Sequence, residues 1–541
     1  MPVIPKVNPE GIRTSNPSAW PQYPYNEVPS TPEQSAVGYS IFSETALRLR
    51  MQDGVELAYD VHRPFAPQEK FPALLSWSPY TRQLQLTTAP LGQNEAGLTE
   101  FWVPRGYVQV IADVRGSNDS DGAWDHWGPQ EAADLKEMIE FIAGQPWCNG
   151  KVGMVGCSYF AMSQLLGAEQ QPEGLAAIFP YDAMTDLYRD AYYTGGIFTN
   201  WARFWFSSVT FLNHTGGRVK DLSGFNNHFS RILSGADPFD CDYFQERSSW
   251  PNLDKIEIPT YFGCDWRFYG LHLRGAFSGW EGISPKAPKK MFIGPQPEPR
   301  RPFAAYHFEA LRWYDHYLKG MDTGIWDSAP INLWIQGENT WRGEKEWPIA
   351  RTEWKELYLS GDELTENAGA SSEQSYTMTP GTLEARRGEP KLVWRSEPMS
   401  KPTEITGPMV LNLKATSDQD DTDWFVFVKD ESPDGTQRVL TRGQLRASHR
   451  ATDPEKSRSW QPWHPHDRRD PITPDEATDY AIEIIPTCNL FLEGHRLRLE
   501  LSSCDPATDI IYSHEPIPRV VTNTIHTGAG GSYLLTPFIP R

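Results

Sequence analysis

The sequence predicts an α/β domain interrupted by a helical insertion and followed by a β-sandwich. Three observations predict it. From Leu47 to about residue 345, strand-like and helix-like runs alternate, the pattern of a mostly parallel sheet flanked by helices. Residues 169–255 break that alternation with aromatic and polar segments in which no strand pattern stands out. After about residue 350 the helical signal fades and short alternating strands recur at regular spacing. The boundaries that follow are 1–168 and 256–345 for the two parts of the α/β domain, 169–255 for a helical cap, and 346–541 for the sandwich.

Taken in order, residues 1–40 are rich in Pro, Ser and Asn and read as an arm lying over the surface. LRLRMQDGVELAYDVHRP alternates, with Asp53-Gly54 as a two-residue hairpin turn. FPALLSWSPY (71–80) and GYVQVIADVRG (106–116) are short apolar runs, as in strands buried on both faces. EAADLKEMIEFIAGQ (131–145) has apolar residues at helical spacing, and KVGMVGCSYFAMSQLLGA (151–168) reads strand, sharp turn, helix. In the insertion, Trp201, Phe204, Trp205 and Phe206 fit an apolar pocket and the cap's own core equally well. IPTYFGCDW (258–266) and KKMFIGPQPEP (289–299) return to buried strands, and FEALRWYDHYLKG (308–320) is an amphipathic helix closed by Gly320. The last third supplies ELYLSG, PMVLNLKAT, DWFVFVKDE, VLTRGQLRAS, YAIEIIP, HRLRLELSS and SYLLTPFIP as strands.

Composition narrows the function. The chain has 541 residues, of which 39% are hydrophobic and 22% charged, enough for a sizeable core. No run of eighteen apolar residues occurs, so no membrane-spanning helix is expected. A formal charge of −20 disfavours nucleic acid and anionic lipid as partners. The first twenty residues lack a basic and an apolar signal region, and six scattered Cys form no disulfide framework, so a cytoplasmic protein is expected. There is no phosphate loop, GxGxxG or flavin motif, and no cofactor is expected. His464 and His466 in WHPHDRRD read as a polar loop, and GSNDSDG (116–122) as a surface turn, so no metal is expected. The expected partner is a small-molecule substrate, with homo-oligomerisation left open.

The segment that carries chemistry is VGMVGCSYFA. A nucleophile elbow sets a Ser between strand and helix in a turn so tight that its neighbours must be small. Gly156 and Ala161 are those small residues around Ser158. The backbone N–H of Tyr159, at the start of the helix, is placed to hold an oxyanion. Cys157 and Cys264 read as core thiols.

Around this elbow the chain resembles the family of cocaine esterase, X-prolyl dipeptidyl aminopeptidases and α-amino-acid ester hydrolases. SPY (78–80), YVQVIADVRGSNDSDG (107–122), the approach DLKEMIEFIAGQPWCNGKVGMVGCSY, GCDW (263–266), LRWYDHYLKGMDTGI, WIQGENTWRGEKEWP (334–348), DTDWFVFVKDESPDG (421–435) and GHRLRLELSS (494–503) follow that family's order. The resemblance implies an α/β-hydrolase domain with an inserted helical cap, then a C-terminal jelly-roll β-sandwich. It assigns Ser158 as nucleophile, the Tyr80 hydroxyl and the Tyr159 N–H as oxyanion donors, and Asp265 as the triad acid.

One position departs. The family's triad His follows Gly-Pro-Trp-x-His after a strand, whereas here MFIGP continues Gln296-Pro297-Glu298, with Glu298 at the His position. An ordinary Glu is a far weaker proton acceptor than imidazole near neutral pH. Three readings follow. His307 replaces the missing base, against its alternative as a packed residue at the helix start beside Trp313; His316 lies within the helix as a structural residue. Alternatively, Glu298 and Asp265 form an acid–base pair for cyclisation, elimination, isomerisation or acyl transfer. In the third reading the chain binds a small molecule without turnover.

Overall fold

A computed structural model describes residues 34–85, 95–216, 218–235, 237–295, 306–381, 391–506 and 511–541. β1 (Ile41–Arg50) and β2 (Glu56–Pro64) form an antiparallel hairpin at one edge of a ten-stranded sheet. Its turn is longer than Asp53-Gly54 alone implies. Met51 N–H still donates to Val55 O at 2.8 Å, leaving residues 52–54 as the loop, with Gly54 at φ +90°.

Then come β3 (Phe71–Ser78), α1 (Arg82–Gln85), α2 (Thr99–Trp102), β4 (Val108–Asp113), α3 (Pro129–Ala143), β5 (Cys148–Met154), α4 (Tyr159–Glu169) and β6 (Leu175–Ile178). The insertion holds a small hairpin, β7 (Tyr193–Thr194) and β8 (Ile197–Phe198), followed by α5 (Asn200–Phe204), α6 (Phe211–Thr215), α7 (Ser223–Leu233) and α8 (Asp242–Gln245). The sheet resumes with β9 (Thr260–Asp265), α9 (Leu273–Gly282), β10 (Lys289–Gly294), α10 (His307–Lys319), β11 (Ile331–Ile335) and β12 (Thr340–Glu344). Its strand order is β1-β2-β4-β3-β5-β6-β9-β10-β11-β12, parallel from β4 through β11.

β6 is a correction to the sequence reading, because it lies inside the stretch assigned to the insertion. It is only four residues, LAAI, and so short an apolar run carries no distinguishing periodicity. The cap therefore emerges after β6 and not directly after α4. Gly320 closes α10 in the left-handed conformation, at φ +71°.

The period-2 geometry of the strands sorts the core into two layers. Leu75, Trp77, Met291 and Ile293 pack with Leu135, Met138, Leu165 and Phe277, residues of α3, α4 and α9. Leu74, Tyr261 and Phe292 face the other way, onto Phe101 and Trp102 of α2 and Trp313, Tyr314 and Leu318 of α10.

From Glu353 to Ile539 an eleven-stranded sheet encloses a separate core around Leu359, Trp394, Trp424 and Leu499. The cap is bolted to this sandwich. Arg446 N–H donates to Gly195 O and Asn200 N–H to Ser513 O, both at 2.8 Å. Gly195 sits at φ +61°, and a Cβ there would lie 2.1 Å from Gln444 O, so the approach requires glycine. Arg189 donates to the carbonyls of His464 and Pro465, each at 2.9 Å, while its other donors hold Asp186 and Asp240. Arg274 spans from Asp190 in the cap to Glu483 in the sandwich, at 3.0 and 3.2 Å. No helix among the described residues is long and apolar enough to cross a membrane.

Candidate active site

The carboxyl ends of the parallel strands converge, as ligand sites in open α/β sheets do. Ser158 follows β5 and caps α4 with φ 59° and ψ −118°, a conformation that L residues rarely adopt. Its carbonyl starts the helix by accepting from Ala161 N–H at 2.8 Å and Met162 N–H at 2.9 Å. Its own N–H donates to Tyr181 O at 3.1 Å, tying the elbow to the segment after β6. Gly156, at φ +130°, is required here: a Cβ would fall 2.4 Å from the Phe160 Cβ and 2.8 Å from Glu95 O.

Tyr80 stands at the end of β3. Its ring meets Tyr159 edge-on at 5.9 Å and Phe160 at 6.0 Å, and its hydroxyl accepts the Trp205 indole N–H at 2.9 Å. The loop carrying it is clamped from below. Arg82, fully buried, meets Asp60 at 3.2 Å, Asp119 at 3.1 Å and the carboxylate of Asp113. Asn118 Nδ2 donates to Pro79 O at 2.7 Å. Burial pushes the Asp113 carboxyl up to about 7, against the pull of Arg82. The GSNDSDG run is thus more than a surface turn: its Asn118 and Asp119 hold the Tyr80 loop in place.

Asp265 closes β9, is fully buried, and accepts Arg267 N–H at 2.9 Å. In the β9–β10 ladder it lies opposite Gly294, so the chain leaving β10 starts beside it. Glu298, with Gln296 and Pro297, lies outside the described residues. Cys264 is buried, and burial together with the charges of Asp182 and Asp265 pushes its thiol well up.

His307 opens α10 and is packed rather than presented. Its ring stacks on Phe101 at 4.6 Å and meets Trp102 edge-on at 5.7 Å, and Leu98 N–H points at its Nε2 from 3.5 Å. Burial, and then the nearby Arg105 charge, push its pKa down to about 3. Such an imidazole is neutral but a poor proton acceptor. His316 Nδ1 lies 3.2 Å from Met321 O, at the end of its own helix.

Trp201, Phe204, Trp205 and Phe206 divide. Phe204 is exposed, Phe206 packs with Phe225 and Phe229, and Trp201 and Trp205 stack at 5.8 Å on the side of Tyr80 and Tyr159. His464 and His466, read as a polar loop, are buried. The two ring nitrogens of His464 lie 3.0 and 2.9 Å from the carbonyls of Ala451 and Ala481, and His466 meets His449 at 3.1 Å. Among the described residues no group of three or more His, Cys, Asp or Glu side chains is arranged to hold a metal ion.

Sequence reasoning missed Arg82 and Glu131, and it named Trp205 as a cap aromatic without its bond to Tyr80. Arg82 had a signal, a cation two residues beyond Tyr80 where a strand has just ended. Glu131 sat unmarked in the first turn of an amphipathic helix, and there it accepts from Tyr159 and Trp77.

The family model described as X-Pro dipeptidyl-peptidase (S15 family) matches residues 53–295, and that of the X-Pro dipeptidyl-peptidase C-terminal non-catalytic domain matches residues 323–535. Cocaine esterase from Rhodococcus sp. is 25% identical, over 93% of this chain and 99% of its own. A CocE/NonD family hydrolase from Staphylococcus aureus superposes with a TM-score of 0.80 at 25% identity, over 92% of this chain and 94% of its own. An α-amino acid ester hydrolase shares the fold at TM-score 0.73 and 18% identity, over 97% of this chain and all (100%) of its own.

Proposed function

Because the chain belongs to the X-Pro dipeptidyl-peptidase (S15) family of serine hydrolases, which includes the cocaine esterases, we propose that it cleaves an ester, amide or thioester of a small, largely apolar molecule through Ser158. The observation that carries this reading is the strained Ser158 elbow at the start of α4, with the Tyr80 ring against that of the next residue, Tyr159. Ser158 Oγ attacks the carbonyl carbon. The Tyr159 N–H and the Tyr80 hydroxyl stabilise the oxyanion, a duty typically worth about 3–4 kcal/mol per donor. The oxyanion collapses and expels the alcohol, amine or thiol, which leaves with the proton taken from Ser158, and water then cleaves the acyl-enzyme to release the acid and restore Ser158.

We assign the proton acceptor to Glu298, four residues on in sequence from Gly294, the end of β10 that pairs with Asp265. The packed, neutral His307 supports this choice over a histidine base. Two carboxyls meeting there would raise one pKa toward the range in which Glu acts as a base. Family membership supports hydrolysis over cyclisation, elimination or binding without turnover.

The test is labelling with a fluorophosphonate together with hydrolysis of p-nitrophenyl esters, run on wild type, Ser158→Ala, Glu298→Gln and His307→Ala. On this reading Ser158→Ala loses both signals and Glu298→Gln loses turnover, while His307→Ala keeps turnover at reduced stability. Turnover that survives Glu298→Gln and disappears in His307→Ala returns the base to His307. Absence of labelling in wild type removes Ser158 as nucleophile.

A further inference from the structure

Tyr159 is anchored at both ends. Its backbone follows Ser158 directly, and its hydroxyl donates to Glu131, with the two carboxylate oxygens at 2.9 and 2.8 Å. The same carboxylate accepts the Trp77 indole N–H at 3.2 Å and the Trp127 backbone N–H at 2.9 Å. Trp124 Nε1–H donates to the Tyr159 hydroxyl at 3.4 Å. The Trp127 ring lies stacked on Tyr159 at 4.2 Å, and Trp205 lies nearly parallel to it at 6.2 Å.

Glu131 is 1% exposed and sits in the first turn of α3, where the helix dipole favours an anion. Burial pushes its carboxyl up to about 7, and the bonds from Trp127, Tyr159 and Trp77 oppose that rise. Burying a carboxylate is costly unless donors converge on it, and here three do. They come from three separate parts of the fold: β3, the loop before α3, and the start of α4.

The tyrosine ring is therefore a strut between α3 and the elbow. One end carries the N–H expected to face the oxyanion; its flank is the surface against which the Tyr80 ring rests. A tilt of the strut displaces both donors together. An oxyanion hole works by fixed geometry, and a displacement of about 1 Å costs on the order of a hundredfold in rate.

We propose that Glu131 is a positioning residue of the oxyanion hole, holding Tyr159 so that its N–H and the Tyr80 hydroxyl converge above Ser158. This rests on the reading of Ser158 as nucleophile. Glu131 touches neither substrate nor reacting atoms, so its effect must appear in the transition state and not in substrate affinity.

The test is a double-mutant cycle on the full chain with Glu131→Gln, Tyr159→Phe and the pair. It is read as kcat and KM for p-nitrophenyl acetate, fluorophosphonate labelling rate, and Tm. Each single change is expected to lower kcat by roughly 10- to 100-fold with KM within about twofold, and to slow labelling in parallel. The pair should be no slower than the slower single variant, because both cut the same strut. Tyr159→Phe preserves the ring and carries the test should Glu131→Gln not fold. A lowered Tm with kcat and labelling rate unchanged overturns the proposal, as does full additivity of the singles. If wild type labels at Ser158 and Glu131→Gln labels equally fast, Glu131 alone is refuted. If wild type is not labelled, while Ser158→Ala retains its turnover, the nucleophile assignment falls and this proposal with it.

Discussion

The Trp205 indole N–H donates to the Tyr80 hydroxyl oxygen at 2.9 Å, joining the cap to the loop after β3. Trp205 directly follows α5, whose first residue, Asn200, is bonded through its N–H to Ser513 O of the sandwich. A run of contacts thus leads from the sandwich through the cap to one phenol. Accepting from Trp205 turns a lone pair of Tyr80 toward the cap and so orients its O–H. Tyr80→Phe should lower kcat for activated aryl esters by roughly 100- to 1,000-fold, the usual loss for one oxyanion donor. Trp205→Phe keeps an aromatic wall but removes the indole donor, and a smaller loss of about tenfold is expected. Steady-state kinetics on both variants checks this ordering; a larger loss in Trp205→Phe than in Tyr80→Phe would contradict it.

The Ser158 backbone stores strain that a different substitution can release. At φ 59° and ψ −118° any side chain is disfavoured, at a cost of about 1–3 kcal/mol. Ser158→Ala removes the hydroxyl and keeps the strain, whereas Ser158→Gly removes both. Both variants should be inactive, and Ser158→Gly should be the more stable of the two by about 1 kcal/mol in urea unfolding. Gly156→Ala should do the opposite. Its Cβ would press on Phe160 and Glu95 O from a left-handed position, so loss of soluble protein or a fall of more than about 3 kcal/mol is expected.

Arg82 is the cation on which the Tyr80 loop is built. Replacing it by Met leaves Asp60, Asp113 and Asp119 facing one another without the guanidinium that joins them. Breaking a buried pair from one side typically costs about 3–5 kcal/mol. Arg82→Met should therefore unfold at markedly lower urea, and adding Asp113→Asn should recover part of the loss by removing a buried charge. Equal stability of the single and double variants would show that Asp113 takes up a proton once Arg82 is gone.

The sequence made the elbow legible because its constraints are local: a strand, a glycine with no room for a Cβ, a serine, a helix. Asp265 was reached through the family resemblance of GCDW, and the structure places it at the end of the buried strand β9. What escaped was contact between distant segments. Trp205 lies 125 residues from Tyr80, and no periodicity marks one indole among several. Glu131 looked like an ordinary acidic residue at a helix start, and only folding turns it onto Tyr159. β6 was lost in the insertion because four small apolar residues have too little pattern to declare a strand. The buried His464 and His466 were misjudged because their neighbours in sequence are charged, while their neighbours in space are carbonyls and rings.

Buried titratable groups of two kinds should confine stability to a window of pH. Burial lifts the carboxyls of Glu131 and Glu169 to about 7 and about 8, above their ordinary 4.5. The folded chain then holds protons that the unfolded chain gives up, so this contribution is complete below about pH 4.5 and is lost as pH rises through 7 and 8. Burial presses His214, His228 and His307 down to about 3 from an ordinary 6.5. There the unfolded chain takes protons that the folded chain refuses, so stability is complete above pH 6.5 and is lost as pH falls toward 3. Between pH 4.5 and 6.5 both groups act. Burial also lowers His62, His126, His449, His464 and His466 and lifts Asp113 to about 7. Eight histidines thus stand against three buried carboxyls lifted to about 7 or 8, and stability still climbs with pH. Above 6.5 the histidines stop contributing slope while the carboxyls continue to withdraw theirs. Tm should therefore peak at about pH 6–7, falling steeply on the acid side and more gently toward pH 8. Glu131→Gln or Glu169→Gln should flatten the alkaline limb without moving the acid one. A Tm that rises steadily to pH 9 in wild type, measured by calorimetry at constant ionic strength, would show that these carboxyls are not the groups that titrate.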